Sequence, residues 1–250
     1  VDNFYDDLFG HAPVRAHSLD LDKLEPPSKQ LEHLERPFLA QEVERVVKVM
    51  LLDKAPGPVG FTGRFYATCW HIIKDDFMRA MEMFHCNDMR GLGAINKVIL
   101  TLLPKTADAV EMKDFRSVIL VHGAIKIFDK VLADRLAEEL PTIVGTHQSA
   151  FVKGRLLHDN FMLVQSTARK LHAMVQSSIM LKLDITKASD SVQWPFLIKT
   201  MTQLGFGGRW VSWICGLLGT TTTKVTVNGI LGRNIYNCQG LRHGDPVSPM

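Results

Sequence analysis

Few residues in this sequence have the type and spacing for chemistry, and an aspartate is the first of them. Ile179, Leu181, Leu183 and Ile185 alternate with Met180, Lys182 and Asp184, the period-two pattern of a strand with one apolar face. On that reading Asp184 stands on the open face, at the C-terminal end of a strand whose back is buried. A carboxylate so placed can ligate a hard cation, although a lone aspartate at a strand end is ordinarily a solvated residue or a turn former. Two cations stand near other strand ends: Lys105 just after the apolar run 97–104, and Arg116 at the start of the run 115–121. Such residues ordinarily lie on solvated surface. The cysteines Cys69, Cys86, Cys215 and Cys238 form no C-x-x-C pair, and no cysteine–histidine group has zinc-finger spacing. His85 beside Cys86 is an isolated, incidental pair, and reduced thiols of an intracellular protein are the expected state.

The elements that must position these residues follow from periodicity. Val43, Val46, Val47, Met50 and Leu51 predict a helix over 40–52, which Lys54-Ala-Pro-Gly-Pro58 stops. The pattern is helical again from 65 to 90. Residues 97–104 predict a strand ending at Pro104, with 115–121 as its hairpin partner. Ile125, Phe128, Val131, Leu132, Leu136 and Leu140 place a helix over 123–140. Asp159 or Asn160 is expected to cap a further helix with the face Phe161, Val164, Ala168, Leu171 and Val175. Asp190 or Ser191 is expected to cap one carrying Trp194, Leu197, Met201 and Leu204. Another carries Trp210, Trp213, Ile214 and Leu217, and Trp194, Trp210 and Trp213 read as core rather than base-stacking platforms. Val225-Thr-Val-Asn-Gly229 is a strand running into an Asn-Gly turn, and residues 240–249 form a glycine–proline loop. Helices interrupted by strand pairs make this an α+β chain. Residues 1–37, with Pro26, Pro27 and Pro37 as breakers, read as a linker or extension with a short helix or two.

The 250 residues are 46% hydrophobic and 22% charged, an ordinary globular balance. A net charge of +3 permits nucleic-acid binding without arguing for it. No stretch of about 20 apolar residues is present, so no membrane partner is expected. The sequence opens without Met and closes on Ser248-Pro249-Met250. Both ends read as cuts.

What joins the isolated residues is the order of segments. Lys54-Ala-Pro-Gly-Pro-Val-Gly-Phe61, Leu103-Pro-Lys105, Phe115-Arg116 with Ser-Val-Ile-Leu, and Lys130-Val-Leu-Ala-Asp-Arg-Leu136 come first. Gln148-Ser-Ala-Phe-Val-Lys-Gly-Arg155 and His158-Asp-Asn160 follow. Leu181-Lys-Leu-Asp-Ile-Thr-Lys-Ala-Ser-Asp-Ser-Val192, Val227-Asn-Gly229 and Gly240-Leu-Arg-His-Gly-Asp-Pro-Val-Ser-Pro249 complete the series. From about residue 38 to the end, this series resembles the reverse transcriptases of non-LTR (LINE-type) retrotransposons, the plant elements in particular. Their patterns are close to K-A-P-G-P-D-G-F, I-P-K, F-R-P-I-S-L, Q-S-A-F-V-x-G-R, L-D-x-x-K-A-F-D-S-V and G-x-R-Q-G-D-P-L-S-P.

The resemblance implies a right-hand polymerase, fingers plus an incomplete ferredoxin-like palm. It implies addition of dNTPs to a primer 3′ end on an RNA or DNA template, with two Mg2+ ions (Mn2+ as the alternative). By the same resemblance Asp184 is the catalytic metal ligand, and Ile185 adds its carbonyl to the metal bound by the nucleotide. Lys105 and Arg116 would grip the triphosphate. Ser189 and His243 stand beside the nucleotide, and Gln148 and Arg155 lie near template and primer. Arg155 could equally cap a helix. Four positions depart from the family: Val59 for Asp, Ser117 for Pro, Ser189 for the bulky aromatic that excludes a ribose 2′-OH, and His243 for Gln. The family's Y/F-x-D-D hairpin would follow residue 250, so this chain alone is expected to be inactive and marginally folded. A decayed, non-enzymatic retroelement remnant, a co-opted nucleic-acid-binding domain and a group II intron maturase-type enzyme are the alternatives. A nuclear or cytoplasmic location is expected.

Overall fold

The computed structural model describes residues 1–13, 20–23, 30–175, 177–185, 187–242 and 244–248. Pro26, Pro27 and His243 therefore lie outside the described residues. The helices are α1 (Asp2–Phe9), α2 (Ala40–Val49), α3 (Gly63–His85), α4 (Leu92–Ile95), α5 (Gly123–Ile143), α6 (Leu157–Ala173), α7 (Trp194–Gln203) and α8 (Gly208–Gly219). The strands are β1 (Lys97–Pro104), β2 (Phe115–Val121), β3 (Thr222–Val227), β4 (Ile230–Leu231) and β5 (Ile235–Tyr236).

The apolar runs 97–104 and 115–121 pair antiparallel, from Val98 opposite Val121 to Pro104 opposite Phe115. β3 joins β1 in parallel, with Lys97 opposite Thr222. A parallel neighbour needs a long crossover, and α5 to α8 lie within it. β4 and β5 both pair antiparallel with β3. Asn228 (φ 50°) and Gly229 (φ 81°) supply the two left-handed residues of the β3–β4 turn. The result is a mixed α+β fold on a mixed sheet with the order β2-β1-β3-β4.

Two cores flank the sheet. The larger gathers Val43, Val46 and Val47 of α2, Phe77, Met81 and Phe84 of α3, Ile125 to Leu140 of α5 and the tryptophans of α8. Trp213 lies 5.1 Å from Phe38 and 5.7 Å from Phe84, centroid to centroid, so the expectation of core tryptophans holds for Trp210 and Trp213. Arg135 is buried within it. Its Nε and Nη2 donate to Glu42 at 2.6 and 2.8 Å, and its other donors go to the carbonyls of Leu34, Arg36 and Pro37. That fork fastens residues 34–37 to α2 and α5. The smaller core packs Tyr5 and Phe9 of α1 against Leu100, Val225 and Ile235. The N-terminal extension thus contains a docked helix.

Three expectations need correction. Residues 179–185 form no strand; they run through solvent, with Ile179 97% and Leu183 79% exposed. The alternation is real, but none of the sheet's pairings involves this segment, so its backbone has no ladder to join. α6 begins at Leu157 with Leu156 at its N-cap, and no residue of its apolar face is buried. α7 begins at Trp194 behind Gln193 rather than at Asp190 or Ser191. Pro195 explains this start, because a missing N–H costs nothing in a first turn.

Candidate functional site

The β1–β2 register decides where the two strand-end cations go. Leu103 lies opposite Arg116, and the Lys105 N–H donates to the Asp114 carbonyl at 2.8 Å, so the hairpin stays closed to its tip. Lys105 Nζ turns back to the Lys113 carbonyl. Lys105 and Arg116 line one cleft of about 590 Å3, together with Met112, Lys113, Phe115 and Ser117 of the hairpin. Across it stand Lys187 and Asp190, and α1 closes a side with Phe4, Tyr5 and Leu8. Lys187, in a left-handed conformation (φ 53°), places Nζ 4.6 Å from the centre of the Phe4 ring. Lys105, Lys113, Arg116 and Lys187 against Asp190 give the cleft an excess of positive charge. Burial, and then the charge of Asp190, push the Tyr5 hydroxyl above its ordinary pKa, which keeps it a neutral donor. An anion is the ligand such a wall selects.

Ser189 does not line the cleft itself but sits in the same turn as Lys187 and Asp190, and its position is fixed from behind. The Leu241 N–H donates to the Ser189 carbonyl at 2.8 Å, and the Gly240 N–H to the Val192 carbonyl at 2.8 Å. Trp194 Nε1 donates to the Gly240 carbonyl at 2.9 Å. Gly240 has φ 80°, and a Cβ there would meet the Asp190 carbonyl oxygen at 2.7 Å, so only glycine allows this approach.

A short step along the chain, Arg242 is the centre of a buried polar cluster. Its Nη1 donates to Asn96 Oδ1 at 2.6 Å, and its Nη2 meets Asp129 Oδ2 at 3.1 Å and Asp245 Oδ2 at 2.7 Å. Asn96 Nδ2 in turn donates to the Leu217 carbonyl and to Thr220 and Thr221 at the end of α8. Asp129 is wholly buried, and its Oδ1 meets no donor among the described residues. Burial first, then the charge of Asp245, raise its pKa well above the usual carboxylate range, against the pull of Arg242. Protonated, Asp129 becomes a donor facing Asp245, and two carboxylates with one proton balance one guanidinium.

Other expected site residues are not brought into the cleft. Asp184 and Ile185 lie on the exposed 179–185 segment, with Ile185 74% exposed. Gln148 is exposed on a loop. Arg155 gives its guanidinium to four carbonyls, those of Pro141, Val144, Gly145 and Gln148, so it caps the end of α5. Among the described residues no three His, Cys, Asp or Glu side chains converge as metal ligands, and the groups present do not make up a metal centre. Sequence reasoning misses the Asp129–Arg242 cluster and the α1 wall. The first has a signal, since Asp129 interrupts the apolar stripe Ile125, Leu132, Leu136 of α5 at helical spacing.

The sequence matches the family model described as "Reverse transcriptase (RNA-dependent DNA polymerase)" over residues 103–250. It is 29% identical over 250 residues to the "Transposon TX1 uncharacterized 149 kDa protein" of Xenopus laevis, covering 98% of this chain and 19% of that protein. It is 25% identical over 224 residues to the "Retrovirus-related Pol polyprotein from type-1 retrotransposable element R2" of Nasonia vitripennis, covering 88% and 21%. The type-2 element R2DM of Drosophila melanogaster gives 24% over 224 residues, covering 88% and 20%. The chain thus spans about a fifth of the relatives it matches. A model matched over more than half of the sequence shows that the chain belongs to the reverse transcriptase (RNA-dependent DNA polymerase) family.

Proposed function

We propose that this chain is the fingers and part of the palm of a non-LTR retrotransposon polymerase that adds dNTPs to a primer 3′ end on an RNA template. The observation that carries the reading is the cleft. Lys105, just past the end of β1, and Arg116 of β2 line the cleft with the Lys187 turn that leads to Ser189. A triphosphate lying there meets an ammonium and a forked guanidinium, which neutralise its oxygens and the charge that grows on the leaving pyrophosphate. Phe4 and Tyr5 add an aromatic side wall. Ser189, in the turn beside the cleft, lacks the aromatic that in the family would exclude a ribose 2′-OH. The Mg2+ (or Mn2+) that the family implies remains a proposal to which this chain contributes Asp184.

The test is equilibrium binding of dATP to the purified chain. Lys105→Gln and Arg116→Gln should each weaken dATP binding roughly tenfold, the worth of one charged hydrogen bond. Unchanged binding in both variants would remove the cleft as the triphosphate site.

A further inference from the structure

A second cationic cavity, sharing no residue with the cleft, lies at the other end of β2. It measures about 270 Å3, and among its described lining residues the only charged side chains are Lys54, Lys126 and Lys130. Lys130 pairs with Asp134 at 2.7 Å, outside the lining. Lys54 and Lys126 converge, and among the described lining residues no carboxylate faces them. Burial first, then the like charge of Lys54, hold the Lys126 ammonium below its usual pKa. Crowded like charges in a concave site are relieved by an anion.

The backbone adds to this. Gly63 and Gly123, the first residues of two long helices, α3 and α5, line the same cavity, and neither helix has a side-chain hydrogen bond at its N-cap. The positive ends of two helices therefore lie at the lysines' cavity. The loop Lys54–Pro58 reaches it because Gly57 lies flush on the chain: a Cβ there would meet the Val121 carbonyl at 2.5 Å and the His122 nitrogen at 2.6 Å. On the rim, Phe61 stacks on Phe65 with centroids 4.1 Å apart and is 45% exposed, which leaves one aromatic face open to solvent.

We propose that this cavity binds a backbone phosphate of a polynucleotide strand, with Lys54 and Lys126 as its ligands and Phe61 as a platform for an adjacent base. The inference rests on the polymerase reading for the source of the strand. Arg116 and Val121 are five residues apart along β2, roughly 17 Å, farther than the phosphates of one nucleotide reach. The two sites therefore hold different ligands, a nucleotide in the cleft and a strand here. Base stacking on an exposed ring is sequence-tolerant, so no base preference is expected.

The test is a titration of the purified chain with a fluorescent single-stranded RNA oligonucleotide at several salt concentrations. Lys54→Gln with Lys126→Gln should weaken binding roughly tenfold at low salt. The slope of log K against log salt should become shallower by about 0.7 for each phosphate that is no longer neutralised. Lys54→Gln alone, on an exposed loop, keeps the test decisive if the change at Lys126 disturbs α5, and Lys126→Arg should retain the slope. Affinity and slope equal to the unaltered protein's in Lys54→Gln and in the double variant would overturn the proposal. Displacement of the probe by dATP as effective as by unlabelled RNA would overturn the assignment to a strand. A protein that binds RNA with the expected slope change but shows no dATP binding would sink the polymerase reading while leaving this site standing.

Discussion

Asp129 and Ser189 show two ways in which one side chain sets a property. Burial and then the charge of Asp245 raise the native pKa of Asp129 well above its unfolded value, near 3.8. Its contribution is fully present below that value. As pH rises toward the native pKa, the folded state carries a proton that the unfolded state has lost, and stability falls. An asparagine at this position would be an isostere of the neutral acid. Asp129→Asn should therefore flatten the decline in urea midpoint as pH rises above the unfolded value. Asp245→Asn, which replaces the nearer of the two carboxylates at Arg242 with a neutral amide whose one oxygen cannot serve both Arg242 and the Val247 amide, should cost about 1–3 kcal/mol. Equal pH slopes in the unaltered and Asp129→Asn proteins would show that Asp129 is ionised. Ser189 acts by what it lacks. In a complete polymerase carrying this sequence, Ser189→Phe should lower rNTP incorporation relative to dNTP. Unchanged selectivity would place the sugar elsewhere.

At the scale of elements, legibility depends on whether the partner of a segment is local. The hairpin of β1 and β2 and the Asn228–Gly229 turn can be read because alternation and turn chemistry are both short-range. The α5 and α8 stripes can be read because an amphipathic helix declares its buried face. The 179–185 segment reads as a strand from an equally clear alternation. A strand also needs a neighbour to satisfy its N–H and C=O groups, and alternation does not say which. The parallel pairing of β1 with β3, more than a hundred residues apart, carries no local signal. Of the candidate site, the cations Lys105 and Arg116 are legible through the resemblance, whereas the docking of α1 depends on Tyr5 and Phe9 meeting Leu100 and Ile235. Phe9→Ala should undock α1 at a cost of about 3–5 kcal/mol to its local opening. Limited proteolysis would then cut before residue 13 at unchanged Tm of the main core. Full protection of the N-terminus would show that Phe9 contributes little to the docking. Glu42→Ala makes a contrasting case. It leaves the buried Arg135 without its counter-charge and should cost about 3–5 kcal/mol globally. Burial opposes the charge of Glu42, but the hydrogen bonds and charge of Arg135 outweigh it and hold the carboxyl below its usual pKa. The stability of that pair is present above the ordinary pKa and is lost as pH falls through the lowered one.

The whole molecule divides into a well-packed body and an apolar margin. The body is α1 to α5, the sheet, α7 and α8, with its cores and its two cationic hollows. The margin is α6 and residues 177–185. Phe161, Leu163 and Val164 of α6 are half or more exposed, and Ile179, Leu181, Leu183 and Ile185 are each more than 70% exposed. A contiguous apolar surface of this kind associates, and a segment outside the sheet with alternating apolar side chains is a template for strand pairing between chains. The purified chain should show a cooperative thermal transition of its body together with concentration-dependent association. Ile179→Lys with Leu183→Lys should suppress the association while leaving the transition within a few degrees, since neither residue packs on a core. Light scattering across a dilution series, read beside calorimetry, separates the two effects. If the double variant associates as strongly as the unaltered chain, the sticky surface lies elsewhere. If its transition falls sharply, the 179–185 segment is packed in solution, and Asp184 with it.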